Sequence, residues 1–348
     1  MSIARAALER AAVDRELLSD LAGSGVVGLL ENKLAQVCDV RYAVSTPSGT
    51  TALTTGLLAL GVRPGDEVIV ADYGYGGTAA AVLLIGAIPV FVDIRRGTLS
   101  LDPDAAARAI GRRTKAIIAT HLAGIPADID GLVQVAEQHS LRLIFDGAQA
   151  LGAIWHGRPI GAFGDATALS FGRGKSVTSG EGGALLMNEA ETFQRAIFLS
   201  QHALRGLTFA AERRPAEQGA GLRIHPLAAA IALGELDLLP ARVALMQARA
   251  RIILERCAEI PLLHPYLAST NGEAAFDDQY VRIISRETTK ELTSGLSRTG
   301  LKLEAAPARA LHELSWWPWA QEPRQASPCP ISGETQQSAR IAYCDEGP

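Results

Sequence analysis

The chain has 348 residues, 48% of them hydrophobic and 20% charged, with a net charge of −4 at pH 7 and a sequence pI near 6.0. These proportions suit one large domain with a sizeable core plus a smaller one, and the acidic balance leaves no basic footprint for nucleic acid. Four scattered cysteines, Cys38, Cys257, Cys329 and Cys344, form neither a C-x-x-C pair nor a metal spacing, so reduced thiols in a cytoplasm and no metal site are expected.

Met1 to Leu21 reads as an amphipathic helix rather than a signal segment. Val26 to Val37 reads as a second helix, with Glu31 and Lys33 on its outer face. Arg41 to Thr46 is a short strand. Ser48-Gly49-Thr50-Thr51 follows it and leads into a helix over Ala52 to Leu60. A strand, a small-residue turn and a helix start together make an anion site, because unpaired N–H groups and the helix dipole converge there. Plain capping by Ser48 or Thr50 accounts for the same residues equally well.

Gly61 to Asp66 is a turn and Glu67 to Ala71 a buried strand. The glycine-rich run Asp72-Tyr73-Gly74-Tyr75-Gly76-Gly77-Thr78 opens a helix over Ala79 to Ile85. The apolar stretch from Thr78 to Val92 is interrupted by Gly86 and Pro89 and is too short to span a bilayer, so no membrane partner is expected. Pro89 to Asp93 is the next strand, followed by a helix from Pro103 to Ile110. Lys115 to Thr120 is a strand ending at His121, a residue open to two readings, core histidine or ligand contact. Asp128 to Ser140 is a helix. Strands alternating with helices predict an α/β fold with a mostly parallel central sheet covered by helices on both faces.

The richest stretch runs from Leu141 to Met187. An apolar run, Leu141 to Phe145, ends abruptly at Asp146. A second, Ala166 to Phe171, breaks into Gly172-Arg173-Gly174 and then Lys175, and a third runs from Ala184 to Met187. Asp146 and Lys175 are 29 positions apart, each just beyond a buried strand, so one sheet can aim a carboxylate and an amine into one crevice. Taken singly, Asp146 is a turn former and Lys175 a solvated lysine. Taken together they suit pyridoxal phosphate, which needs a lysine for a Schiff base and an anion that keeps its pyridine nitrogen protonated.

The ordered motifs DGAQALGA, GRPIGAFGD and LSFGRGKSVTSGEGGALL resemble the DegT/StrS-like aminotransferases, pyridoxal-phosphate enzymes of fold type I. Those enzymes are best known for installing amines on nucleotide-linked sugars and cyclitols. The resemblance covers about Ser45 to Leu239. It implies transfer of an amino group from an amino-acid donor to a keto acceptor, with Lys175 as the Schiff-base lysine and proton carrier. Asp146 would pair with the pyridinium nitrogen and Gln149 would lie near the phenolic oxygen. Gly49, Thr50, Thr51 and Ser170 would hold the phosphate, and Tyr75 would stack on the ring unless it merely packs at a helix start. Arg223, His312 and His121 are the candidate substrate contacts. A homodimer with shared sites is implied as well.

The chain departs from the family pattern in two places. Ser200-Gln201-His202-Ala203 stands where many relatives read R-N-H-G. Gly219-Ala220-Gly221-Leu222-Arg223 stands where they read G-Y-N-Y-R, so an asparagine that often reaches the phosphate is replaced by Gly221. These changes keep a rival reading open, elimination, decarboxylation or replacement on an amino acid, since those reactions use Lys175 and Asp146 too. A non-catalytic member of the fold is the third reading.

Thr208 to Gln218 reads as a surface loop. Leu227 to Leu239 and Ala241 to Ile260 are long helices. Val281 to Ser285, Lys290 to Arg298 and Leu301 to Glu304 read as strand, helix and strand. Residues 1–240 are therefore expected to form a large cofactor domain and 241–348 a smaller α+β domain. Trp316, Trp317 and Trp319 either anchor a loop at an interface or stack on substrate. The family usually carries a further helix beyond the region of Tyr343.

Overall fold

The computed structural model describes residues 21–348 except 97, 208–218, 261–262, 266–270, 277–280, 285–289, 300, 306–308, 312–323, 326–328, 330–331, 333–338 and 344–348. The first expected helix, the Thr208–Gln218 loop, His312 and the three tryptophans of the tail lie outside the described residues.

In chain order the main elements are α1 (Gly25–Val37), β1 (Tyr42–Thr46), α2 (Gly49–Ala59), β2 (Glu67–Ala71), α3 (Gly77–Leu84), β3 (Ile88–Val92), α4 (Pro103–Ala109), β4 (Thr114–Thr120), α5 (Ile129–Gln138), β5 (Arg142–Asp146), β6 (Ala166–Ser170), β7 (Gly183–Met187), α6 (Ala190–Ser200), α7 (Pro226–Leu236) and α8 (Leu239–Ala258). The central sheet has the order β1-β7-β6-β5-β4-β2-β3, extended at its far edge by Arg324–Gln325. Pairings from β6 to that edge are parallel, whereas β7 runs antiparallel to both β1 and β6.

β2 and β3 are buried at every position, as strands covered on both faces must be. Alternate residues feed opposite layers. Ile69, Val90, Ile117, Leu143 and Phe145 join one core, while Val68, Val70, Phe91, Ile118 and Ile144 join the other. Within the described residues, the expected strands and helices of the central sheet stand where the hydrophobic runs put them. α6 went unread in the sequence, although Phe193, Ala196, Ile197 and Ser200 are buried at helical spacing.

A four-stranded antiparallel sheet follows, in the order His264–Pro265, β8 (Val281–Ile284), β10 (Ala339–Tyr343), β9 (Lys302–Ala305), with α9 (Lys290–Thr299) between β8 and β9 in the chain. α8 joins two cores, through Leu239 on one side and Ala250, Ile253 and Cys257 on the other. The chain then returns to the earlier strands, where Arg309–Ala310 pair with Tyr73–Gly74 in a small two-stranded sheet of their own and Ser332 donates twice to Asp93 Oδ1 at 2.7 Å.

One expectation is corrected in α1. Glu31 does not face solvent; it is buried and forms an ion pair with Arg205, which is buried as well. Periodicity places it on the polar arc, but the arc is covered by the chain around Ser200 to Arg205. Among the described residues no helix is long and apolar enough to cross a membrane, and no cluster of three or more His, Cys, Asp or Glu suits a metal ion. Cys38, Cys257 and Cys329 are buried and form no disulfide among the described residues.

Candidate active site

Parallel strands direct their C-terminal ends to one edge of the sheet, where helix N-termini gather. Asp146 ends β5 there and is buried. Its Oδ2 accepts from Thr78 Oγ1 at 2.7 Å and its Oδ1 from the Ala148 N–H at 3.1 Å. Burial pushes the carboxyl above the ordinary carboxylate range, and the Thr78 and Ala148 hydrogen bonds and the charge of Lys175 offset part of that rise. The influence of Lys175 brings the two sequence-selected residues into one electrostatic neighbourhood.

Lys175 is half-buried in a loop that closes on itself. Phe171 N–H donates to Gly182 O at 2.8 Å and Ser179 N–H to Phe171 O at 2.9 Å. Gly174 takes φ +85°, a conformation that a side chain would strain, directly before the lysine. Arg242 of α8 fastens the same loop by donating to Ser176 O at 2.9 Å.

The Ser48 turn is both a cap and a cradle. Ser48 Oγ accepts from Thr51 N–H at 3.2 Å, while Thr51 Oγ1 accepts from Ser48 N–H at 2.9 Å, a complete capping box. Thr51, expected on the phosphate, has its hydroxyl hydrogen-bonded to Ser48 within this cap. The N–H groups of Gly49 and Thr50 have no partner among the described residues, so the helix start keeps two donors for an anion. A Cβ on Gly49 would stand 3.0 Å from Ser170 Cβ, which puts the end of β6 against this turn.

Tyr75 is 72% exposed at the mouth of the site. A Cβ on Gly77 would fall 2.6 Å from its ring and 3.1 Å from Thr50 Oγ1, so the starts of α2 and α3 and the tyrosine converge. Gln149 Oε1 accepts from Ala123 N–H at 2.6 Å, leaving its NH₂ group without a partner among the described residues.

His121 is placed differently from the expectation that it touches substrate. It is fully buried, its ring stacked on Phe145 at 4.8 Å and 15°, with Nδ1 accepting from Ala127 N–H at 2.9 Å. Phe145 and Asp146 are neighbours on one strand and point to opposite faces. The His121 ring lies with Phe145, behind the crevice, and burial lowers its pKa to about 3.

Arg223 is half-buried in an irregular stretch before α7, and its guanidinium has no partner among the described residues. The stretch is held by Gln201, whose amide donates to Leu222 O at 3.1 Å and to Ser45 O at 3.2 Å. Arg205 reaches the same amide, and Glu31 accepts from Ser45 N–H and Oγ at 2.8 Å. Sequence reading missed Thr78, Arg242 and this network; Gln201 was visible only as a departure from the family pattern.

A mostly parallel α/β sheet that presents a lysine loop, a buried carboxylate and a helix-start anion cradle at neighbouring strand ends has the form of a fold type I pyridoxal-phosphate enzyme. The chain belongs to the DegT/DnrJ/EryC1/StrS aminotransferase family, whose model matches residues 9–339. Protein MosB of Rhizobium meliloti is 33% identical over 252 residues, 69% of this chain and 50% of MosB. The GDP-perosamine synthase of Caulobacter vibrioides is 37% identical over 226 residues, 64% of this chain and 58% of that protein. The chain thus spans about half the length of these curated relatives. The crystal structure of 3-amino-5-hydroxybenzoic acid synthase superposes with a TM-score of 0.82 at 26% identity, covering 99% of this chain and 90% of that one. Pyridoxal phosphate, expected from the motifs, is the cofactor of the family's aminotransferases.

Proposed function

We propose that the protein is a pyridoxal-phosphate-dependent aminotransferase that moves an amino group from an amino-acid donor to a keto acceptor of the keto-sugar or cyclitol kind. The observation that carries this reading is the meeting of Asp146, Lys175 and the open N–H groups of Gly49 and Thr50 at one sheet edge. A carboxylate, an amine and an anion cradle match the three polar ends of the cofactor. When bound, pyridoxal phosphate supplies an electron sink for carbanion chemistry.

The chain's own residues divide the remaining work. Gly49, Thr50 and Ser170 bind the phosphate. Asp146 keeps a proton at the ring nitrogen, and Gln149 directs its NH₂ group to the phenolic oxygen. Tyr75 covers the ring. Lys175 would hold the cofactor and carry the donor's α-proton, on a stem that the glycines of its loop leave free to move. Arg223 grips a carboxylate or phosphate of the substrate through two parallel hydrogen bonds. His312, expected in the same pocket from the resemblance, completes the substrate set. Residues 1–240 carry the cofactor and residues 241–348 form the smaller domain. The working unit is a cytoplasmic homodimer with shared sites, the family names of the relatives supporting small-molecule substrates.

A spectrophotometric donor screen tests the reading. Glutamate, glutamine or another amino acid should convert bound pyridoxal phosphate to pyridoxamine phosphate and release the matching keto acid. Release of ammonia or carbon dioxide in place of that conversion would favour elimination or decarboxylation.

A further inference from the structure

Thr78 donates its hydroxyl to Asp146 Oδ2 at 2.7 Å, and both side chains are buried. A threonine inside a helix commonly returns its hydroxyl to a carbonyl of its own helix. Thr54 of α2 does this, donating to Thr50 O at 2.9 Å. Thr78, the second residue of α3, has no carbonyl of its own helix three or four residues back, and its hydroxyl reaches across 68 positions of sequence to a carboxylate on a strand end. The cap of α3 is Gly76, which has no side chain, so the helix start goes without a side-chain cap while this hydroxyl serves Asp146.

We infer that Thr78 is a positioning residue for the cofactor, holding Asp146 ionised and in one orientation so that its carboxylate can keep the ring nitrogen protonated. The inference rests on the pyridoxal-phosphate reading above. A buried carboxylate has lost its hydration and drifts toward the neutral acid, which cannot support a positive ring nitrogen. Hydrogen bonds to the charged form oppose the drift. Ala148 supplies one from the backbone at 3.1 Å, and Thr78 supplies the other from a side chain. With one donor on each oxygen the carboxylate is fixed against rotation, yet lone pairs remain for a further donor. A β-branched side chain, stiff about χ1, suits that aim. The same turn of α3 abuts Tyr75 and Thr50 at Gly77, so Thr78 ties the carboxylate to the elements proposed to hold the ring face and the phosphate.

The test uses the holoprotein loaded with ¹⁵N-labelled pyridoxal phosphate, as wild type, Thr78→Val and Thr78→Ser. Borohydride trapping first locates the cofactor; in wild type its absence from Lys175 would overturn the cofactor reading itself. With the cofactor on Lys175, Thr78→Val should move the ring ¹⁵N signal toward the unprotonated position. It should lower kcat by about 10- to 100-fold, the span given by one charge-assisted hydrogen bond, with little change in donor KM. Thr78→Ser should restore both. If the valine variant does not fold, Thr78→Ala carries the same expectation. A wild-type ¹⁵N signal without the hydroxyl, or a serine variant as impaired as valine, would overturn the inference.

Discussion

Arg242 and Ser176 join a helix to the lysine loop: the guanidinium donates to the Ser176 carbonyl at 2.9 Å, one residue past Lys175, and Glu235 holds it from the other side. The contact is half-buried and links α8, whose far end carries the C-terminal sheet, to the loop that must both hold and release the lysine. Arg242→Met keeps much of the packing stem and removes the donors. We expect a loss of about 1.5–3 kcal/mol of stability, the range of one hydrogen bond to a charged group, and several-fold weaker cofactor retention. Thermal unfolding and cofactor titration read the two effects separately; unchanged retention would show that the loop orders itself.

Asp146, proposed to face the ring nitrogen, is placed against stability. Burial raises its pKa, so the folded state disfavours the charged form and the carboxylate lowers stability at neutral pH. As pH falls into the range where the folded group takes up its proton, that cost is relieved. Asp146→Asn should therefore leave the cofactor-free protein at least as heat-stable as wild type at pH 7. Turnover should fall by orders of magnitude, because the electron sink loses its anion. Near-wild-type turnover would mean that the ring lies elsewhere.

His121 gives the opposite pH signature. Its pKa falls from the ordinary 6.5 to about 3 through burial, so below pH 6.5 the unfolded chain takes up a proton that the folded chain refuses. Stability is fully present above pH 6.5 and is lost as pH falls toward 3, with a slope of at most about 1.4 kcal/mol per pH unit. His121→Asn keeps an acceptor for Ala127 N–H and removes the titration. The variant should be less stable at neutral pH, since the stack on Phe145 is lost, but its stability should fall less steeply on acidification. Parallel pH profiles of unfolding free energy for the two proteins would refute the assignment.

Much of the site could be read from the sequence because strand ends and glycine turns advertise themselves. Asp146, Lys175 and the Ser48 turn each follow an apolar run and precede a small-residue break. The contacts that hold them are different in kind. Thr78 meets Asp146 across 68 positions and Arg242 meets Ser176 across 66, and no local pattern encodes such distances. Glu31 fell on the outer face because periodicity gives an angle about the helix, not the partner 174 positions away that covers it. The antiparallel course of β7 was equally hidden, since an apolar run does not reveal strand direction.

The buried pair Glu31–Arg205 invites a stability test. Both side chains are under one-tenth exposed, and Arg205 also reaches Gln201 Oε1 at 3.3 Å. Removing one partner leaves an uncompensated buried charge, which costs about 3–5 kcal/mol. Arg205→Met should therefore destabilise strongly, whereas the double change Glu31→Met with Arg205→Met should recover most of the loss. Equal unfolding of single and double variants would show that the network, not the charge, carries the cost.

Arg223 tests the shared site. Its neighbour Ile224 packs against the end of the lysine loop, 3.1 Å from where a Cβ on Gly182 would stand, yet the Arg223 guanidinium has no partner among the described residues. An arginine so placed at the edge of a site either serves its own crevice or reaches across a two-fold interface, where each subunit would lend the other the same group. The second arrangement has a simple consequence. Arg223→Ala and Lys175→Ala homodimers should each be inactive or nearly so. Mixing the two chains should create heterodimers in which one site has both residues, restoring about a quarter of wild-type activity after full statistical exchange, half of the dimers each holding one intact site of two. Subunit exchange confirmed by mass spectrometry with no recovery of activity would assign Arg223 to its own subunit.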